Sequence, residues 1–168
     1  AAGTEDWDAL AADYGRDGQG NGIVSLPVFE IRGNHDDNGT AGDTPEPQIE
    51  ARHGDLTYSW DVGPIHFAGF DIVPDAAAVA WLETDLAAVG TDTPIILMQH
   101  YDVTQIDSAV EADLLDALDG YNVLGIWHGH THNSGYSTWN GYDIFNTGTT
   151  KVAGAESFFH VVNITNAN

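Results

Sequence analysis

Residues 123–132 read VLGIWHGHTH. The first half, Val123–Trp127, is a short apolar run. The second half sets His128, His130 and His132 around Gly129 and Thr131. A brief continuous apolar run bounded by turn residues suits a strand buried on both faces, as in a parallel sheet. The same grammar occurs twice upstream. Pro94 opens the run Ile95–Met98, which leads into Gln99 and His100. Val28–Ile31 reads as a strand leading into Gly33-Asn34-His35-Asp36. In open α/β sheets the carboxyl ends of the strands collect the binding site. Three distant segments are therefore expected to meet at one place, and five of the eight histidines (His35, His100, His128, His130 and His132) lie in them.

The intervening sequence supports α/β organisation. Residues 4–14 read as a short helix capped by Thr4. Residues 37–55, rich in Gly, Asp, Pro and Asn, read as a long loop. Leu56–Val62 and Ile65–Ile72 form a hairpin with Gly63-Pro64 at the turn. Asp75 caps a helix with Val79, Leu82, Leu86 and Val89 on one face. Asp107-Ser108 starts another, with Val110, Leu114, Leu115 and Leu118 inward, and Gly120 stops it. Three β candidates close the chain: Gly135–Trp139, Tyr142–Asn146 and Phe158–Ile164. The order is α/β first, then mostly β.

Composition bounds the function. The 168 residues carry 26 Asp+Glu, 4 Lys+Arg and 8 His, a formal charge of −22. That length is ample for one domain with its own core. A basic nucleic-acid footprint is absent, and no apolar run is long enough to span a bilayer. With no Cys there is no disulfide framework, thiolate metal site or Cys nucleophile. The acidic residues are dispersed and Lys151 is the single lysine, a balance that points to a soluble protein adapted to high salt. No spaced D-x-D-x-D-G run suggests a calcium loop. Ala1 opens on polar sequence with no basic and apolar leader, and localisation, secreted or otherwise, is not read from this end.

Without Cys, the available metal ligands are His, Asn and carboxylate, a set suited to Zn, Mn or Fe. His130 and His132, alternating around Thr131, can reach one centre from a tight loop. Gly33 and Gly129 leave room for close approach. A lone H-x-H says little. GNHD, a strand-ending His and GHTH in this order say much more.

With these blocks the chain resembles the calcineurin-like metallophosphoesterase superfamily, through Gly33–Asp36, His100 and Gly129–His132. The stretches YSWDVGPIHF, WLETDL, ILMQHYD and GYNVLGIWHGHTHN look like a bacterial branch of it. The resemblance covers almost the whole chain as a single domain, 1–168. It implies an α/β fold of αββα sandwich type, here with a β-rich C-terminal portion. The family's opening D-x-H block occurs nowhere in this sequence. Gly42-Asp43 and Gly54-Asp55 follow GNHD, which is the wrong order for the family's G-D block. The expectation is a domain incomplete at its N-terminus, weakly active or inactive by itself and prone to associate or to need salt.

The resemblance implies two divalent metal ions (Mn, Zn or Fe), about 3.5–4 Å apart as in two-metal sites generally, that activate a water to attack a phosphorylated substrate. Asn34, His100 and His130 would bind one ion. His132 would bind the other. His35 would be a general acid near the leaving oxygen, oriented by Asp36. His128, Tyr101 and Asn133 are candidates for the substrate cleft or for support of the ligands, and for His128 a plain strand-end histidine is equally open. Asp102 reads as loop. His66 reads as a satisfied strand histidine, and His53 and His160 as structural or exposed. Arg52 is a speculative phosphate contact, and Trp60, Trp81, Trp127 and Trp139 read as core or edge aromatics. Two other readings stand beside a phosphate mono- or diesterase. One is a non-catalytic metal-binding module built on the His/Asn cluster. The other, a Ser or Asp nucleophile hydrolase, lacks a G-x-S-x-G elbow and ranks last.

Overall fold

The computed structural model describes residues 12–13, 22–36, 45–149, 160–163 and 165. Six strands form one mixed sheet: β1 Tyr58–Val62, β2 Ile65–Gly69, β3 Ile95–Met98, β4 Val123–His128, β5 Gly135–Trp139 and β6 Tyr142–Asn146. Their order is β1-β2-β3-β4-β6-β5. β1 and β5 pair antiparallel with β2 and β6, while β2, β3, β4 and β6 run parallel. Gly63 takes φ +61° in the two-residue turn between β1 and β2, where a left-handed residue matches the twist of the hairpin. Among the described residues three complete helices accompany the sheet: α1 Glu46–His53, α2 Ala76–Val89 and α3 Ser108–Leu118. The caps expected at Asp75 and Asp107 are both made. Asp75 accepts from the Ala78 amide at 2.8 Å and Asp107 from the Ala109 amide at 2.9 Å.

The crossover helices α2 and α3 cover one face of the sheet. Val79, Leu82 and Leu86 from α2 and Leu114 and Leu118 from α3 pack with Ala68, Ile95, Leu97, Ile126 and Ile144. These strands are apolar without alternation because the parallel centre of the sheet is enclosed. The opposite face is aromatic. Trp60 stacks between Phe29 and Phe67, with centroids 4.6 and 5.3 Å away, and Trp127 stacks on Phe145 at 4.3 Å. The α/β class therefore holds, and of the sandwich the described residues contribute this one sheet.

Three expectations change. Residues 28–31 enter no strand pairing. They cross the aromatic face instead, where Ile31 lies so close over Gly69 that a Cβ there would collide with it. Residues 37–55 are not all loop, because α1 occupies Glu46–His53. Its signals are proline in the first turn, where no amide is needed, and Gly54 at φ +89° after the last turn. Phe158–Ile164 lies partly outside the described residues, and its described portion, 160–163, forms no strand. The helix expected over 4–14 lies outside them too, except for Ala12 and Asp13, which are helical.

Candidate metal centre

The carboxyl ends of β3 and β4 lie side by side, and the loops that leave them are tied together by backbone. The Gln99 amide donates to Trp127 O at 3.0 Å, and the Gly129 amide to His100 O at 3.1 Å. The amides of His100 and Tyr101 both donate to Ile72 O, at 2.8 and 2.9 Å. Gln99 is buried, and its carboxamide nitrogen donates to Tyr101 O at 2.7 Å, supporting the loop.

Onto this platform the GNHD segment is pressed from the aromatic face. His100 Nε2 donates to Asn34 Oδ1 at 2.9 Å across 66 residues of sequence. A Cβ on Gly33 would stand 3.0 Å from His100 Cε1, which is why this position favours glycine. Gly129 is different: a Cβ there would make only ordinary contact. Arg32 anchors the segment. It grips Asp71, just past β2, with two parallel bonds of 2.6 and 2.7 Å, and reaches Glu46 of α1 at 2.9 Å. Such a fork holds position as well as charge. Arg32 escaped the sequence reading, although one of only four cations standing directly before GNHD was its signal.

The third segment brings His130. Its ring lies 5.2 Å from that of His100, edge-on, and Tyr101 packs against both at 4.5 and 5.6 Å. Asn34, His100, His130 and Tyr101 thus come together. His132 and His35 are exposed at the margin. They are near enough to bear on His100, whose imidazolium form is disfavoured first by burial and then by His130, with smaller contributions from His35 and His132 against the pull of Asp36. His130 and His132 both have left-handed backbone, with φ +62° and +60°. Such residues cost about 1–3 kcal/mol each and cluster at functional sites.

Other expectations fall differently. Asp36 accepts from the Gly33 amide at 2.7 Å, closing the turn, and does not bond the His35 ring. Asn133 is exposed and is not drawn into the cluster. His128 is buried, with Asp102 3.3 Å from Nε2 and its own loop's Gly129 O 3.2 Å from Nδ1. Burial pushes the Asp102 carboxyl up, but bonds from Thr104 and the charge of His128 outweigh it and hold it low. Asp102 is thus more than loop, since it links the His100 loop to the end of β4. Arg52 is no phosphate contact. It is sequestered against Glu30 at 2.5 Å, beside His53, which bonds the same carboxylate at 2.8 Å.

Among the described residues no group of three His, Asp or Glu side chains is arranged to hold a metal ion. The Asn34 carboxamide bonds His100, whose ring lies beside that of His130. Two imidazoles and one neutral oxygen, with no thiolate, are chemically fit for a borderline divalent ion.

A family model described as calcineurin-like phosphoesterase matches residues 4–134. The chain belongs to that family. The match takes in all three blocks of the cluster, from Asn34 through His100 to His132. The family's general chemistry is metal-dependent phosphoester hydrolysis. Comparison with curated proteins returns no match. Among the described residues no helix of this phosphoesterase domain is long and apolar enough to cross a membrane.

Proposed function

We propose that the protein carrying this domain hydrolyses a phosphate mono- or diester, with Asn34, His100 and His130 as ligands of one divalent ion and His132 as a ligand of a second. The observation that carries the reading is the meeting of Asn34, His100 and His130 from three distant segments at the carboxyl ends of β3 and β4. A bound Mn, Fe or Zn ion supplies positive charge to the phosphoryl oxygens and lowers the pKa of a coordinated water. The chain's residues do the rest. Asn34 contributes a neutral oxygen, which leaves the site's charge positive enough to attract phosphate. Burial favours the neutral form of His100, the form that ligates a metal. Tyr101 walls both rings, and Arg32 fixes the segment that carries Asn34. His35, exposed beside the cluster, holds the proton for the leaving oxygen.

A second reading has its own support. No D-x-H occurs in the sequence, and among the described residues no carboxylate joins the cluster to bridge two ions. That favours a module holding one ion without catalysis. Metal stoichiometry and turnover separate the two. Asn34→Ala and His130→Ala should each lower Mn-dependent hydrolysis of bis(p-nitrophenyl) phosphate by about 100-fold or more, beyond the loss from removing a supporting residue. Equal turnover in both variants sinks the hydrolase reading. One ion with no turnover in the whole protein that carries the domain selects the binding module. The charge of −22 supports a high-salt working environment, and a melting temperature that does not rise between low and molar KCl removes that part.

A further inference from the structure

His130 and His132 stand on either side of Thr131 in left-handed backbone, a conformation that persists only where the surroundings hold it. One restraint is internal: the Thr131 amide donates to Gly129 O at 2.7 Å. The others come from the end of β6. Asn146 sits opposite His128 in the β4–β6 register. Its carboxamide nitrogen donates to Thr131 Oγ1 at 2.5 Å, and the next amide, Thr147, donates to His128 O at 2.7 Å. The loop is therefore clasped at both ends by two successive residues of one strand terminus. Asn146 bears a cost in doing so, because among the described residues its buried carboxamide oxygen has no hydrogen-bond partner. An orphaned buried acceptor calls for a reason, and the reach of the opposite end of the same carboxamide to Thr131 supplies one.

We infer that Asn146 is a positioning residue of the site: through Thr131 it holds the His130–His132 loop in the conformation that turns His130 toward His100. The inference rests on the reading of His130 as a ligand only for its consequence in metal affinity. The conformational claim stands on the loop alone.

The test uses the full chain, first without metal. Backbone couplings and Cα shifts in NMR report the left-handed φ of His130 and His132. Asn146→Ala and Thr131→Val should both lose that signature, while Thr131→Ser, which keeps the hydroxyl, should retain it. In Mn²⁺ titration Asn146→Ala should bind roughly tenfold or more weakly, the usual effect of removing a support behind a ligand. The double variant Asn146→Ala/Thr131→Val should be no weaker than either single, since one bond is lost once. A folded Asn146→Ala with unchanged His130 and His132 signals overturns the inference. Should Asn146→Ala fail to fold, the Thr131→Val and Thr131→Ser pair decides it by the same signals, because Thr131 is exposed. A wild-type chain that binds no Mn²⁺ overturns the metal reading instead, with the conformational result still standing for or against Asn146.

Discussion

His66 and His100 lie at opposite ends of the same parallel sheet, and their surroundings are opposite too. His66, near the start of β2, is buried between two carboxylates. Asp61 of β1 meets Nδ1 at 2.8 Å and Asp85 of α2 meets Nε2 at 2.7 Å, with the Ser59 hydroxyl donating to the same Asp85. Every polar atom of the ring is spent. His100, past the end of β3, meets a carboxamide, an imidazole and a phenol, and among the described residues no carboxylate bonds it. That leaves the ring more available than that of His66. The neutral ring is the form that ligates a metal, and a carboxylate at each nitrogen is the arrangement that removes it from such work.

The contrast can be broken at either end. The largest effect should come from His130→Ala: hydrolysis should fall by about 100-fold or more, with the melting temperature nearly unchanged, because that ring stabilises little of the fold. His66→Ala should do the reverse. It strands Asp85 beside the core and should cost about 3 kcal/mol in urea unfolding, in the range for breaking a buried pair, while leaving metal affinity alone. Loss of metal binding in His66→Ala would erase the distinction between the two ends. Arg32→Lys keeps the charge but loses the fork on Asp71, and should cost about 1–2 kcal/mol with a larger proportional loss of metal affinity, read by calorimetry.

A pH series sharpens the comparison. The His100 pKa is lowered by burial, so below the ordinary histidine value of about 6.5 the unfolded chain binds a proton that the folded chain refuses. Stability should therefore rise with pH through the window bounded above by that value and below by the folded one, and His100→Gln should flatten this slope. The smallest effect belongs to Asp61→Asn, whose side chain is largely exposed. It should cost less than about 1 kcal/mol by denaturant unfolding.

The sequence displayed β3, α2, α3 and β4 almost to the residue, because buried parallel strands and capped amphipathic helices write continuous local signals. It also showed that Asn34, His100 and His130 would meet, since each follows directly from an apolar run. Two kinds of feature were hidden. One was α1, whose prolines and flanking glycine resemble loop punctuation until a helix is assumed between them. The other was everything that depends on a distant partner. Val28–Ile31 has strand composition, but composition does not say whether a ladder is available, and this segment lies across the sheet instead. Arg32, Asp102 and Asn146 act through residues 14 to 39 positions away, a spacing that no local pattern marks. Asp36 shows a local task as well, since it accepts from the amide of its own turn.

The bond between Asn34 and His100 spans 66 residues, and the strands beneath it reach their neighbours only through helical crossovers. The donors therefore cannot assemble by local ordering. They become competent only after the slow, non-local closures that set the pace of folding in parallel sheets. In a refolding experiment, metal uptake should trail the recovery of helical signal, and its rate would time the last closure of the sheet rather than the chemistry of the site.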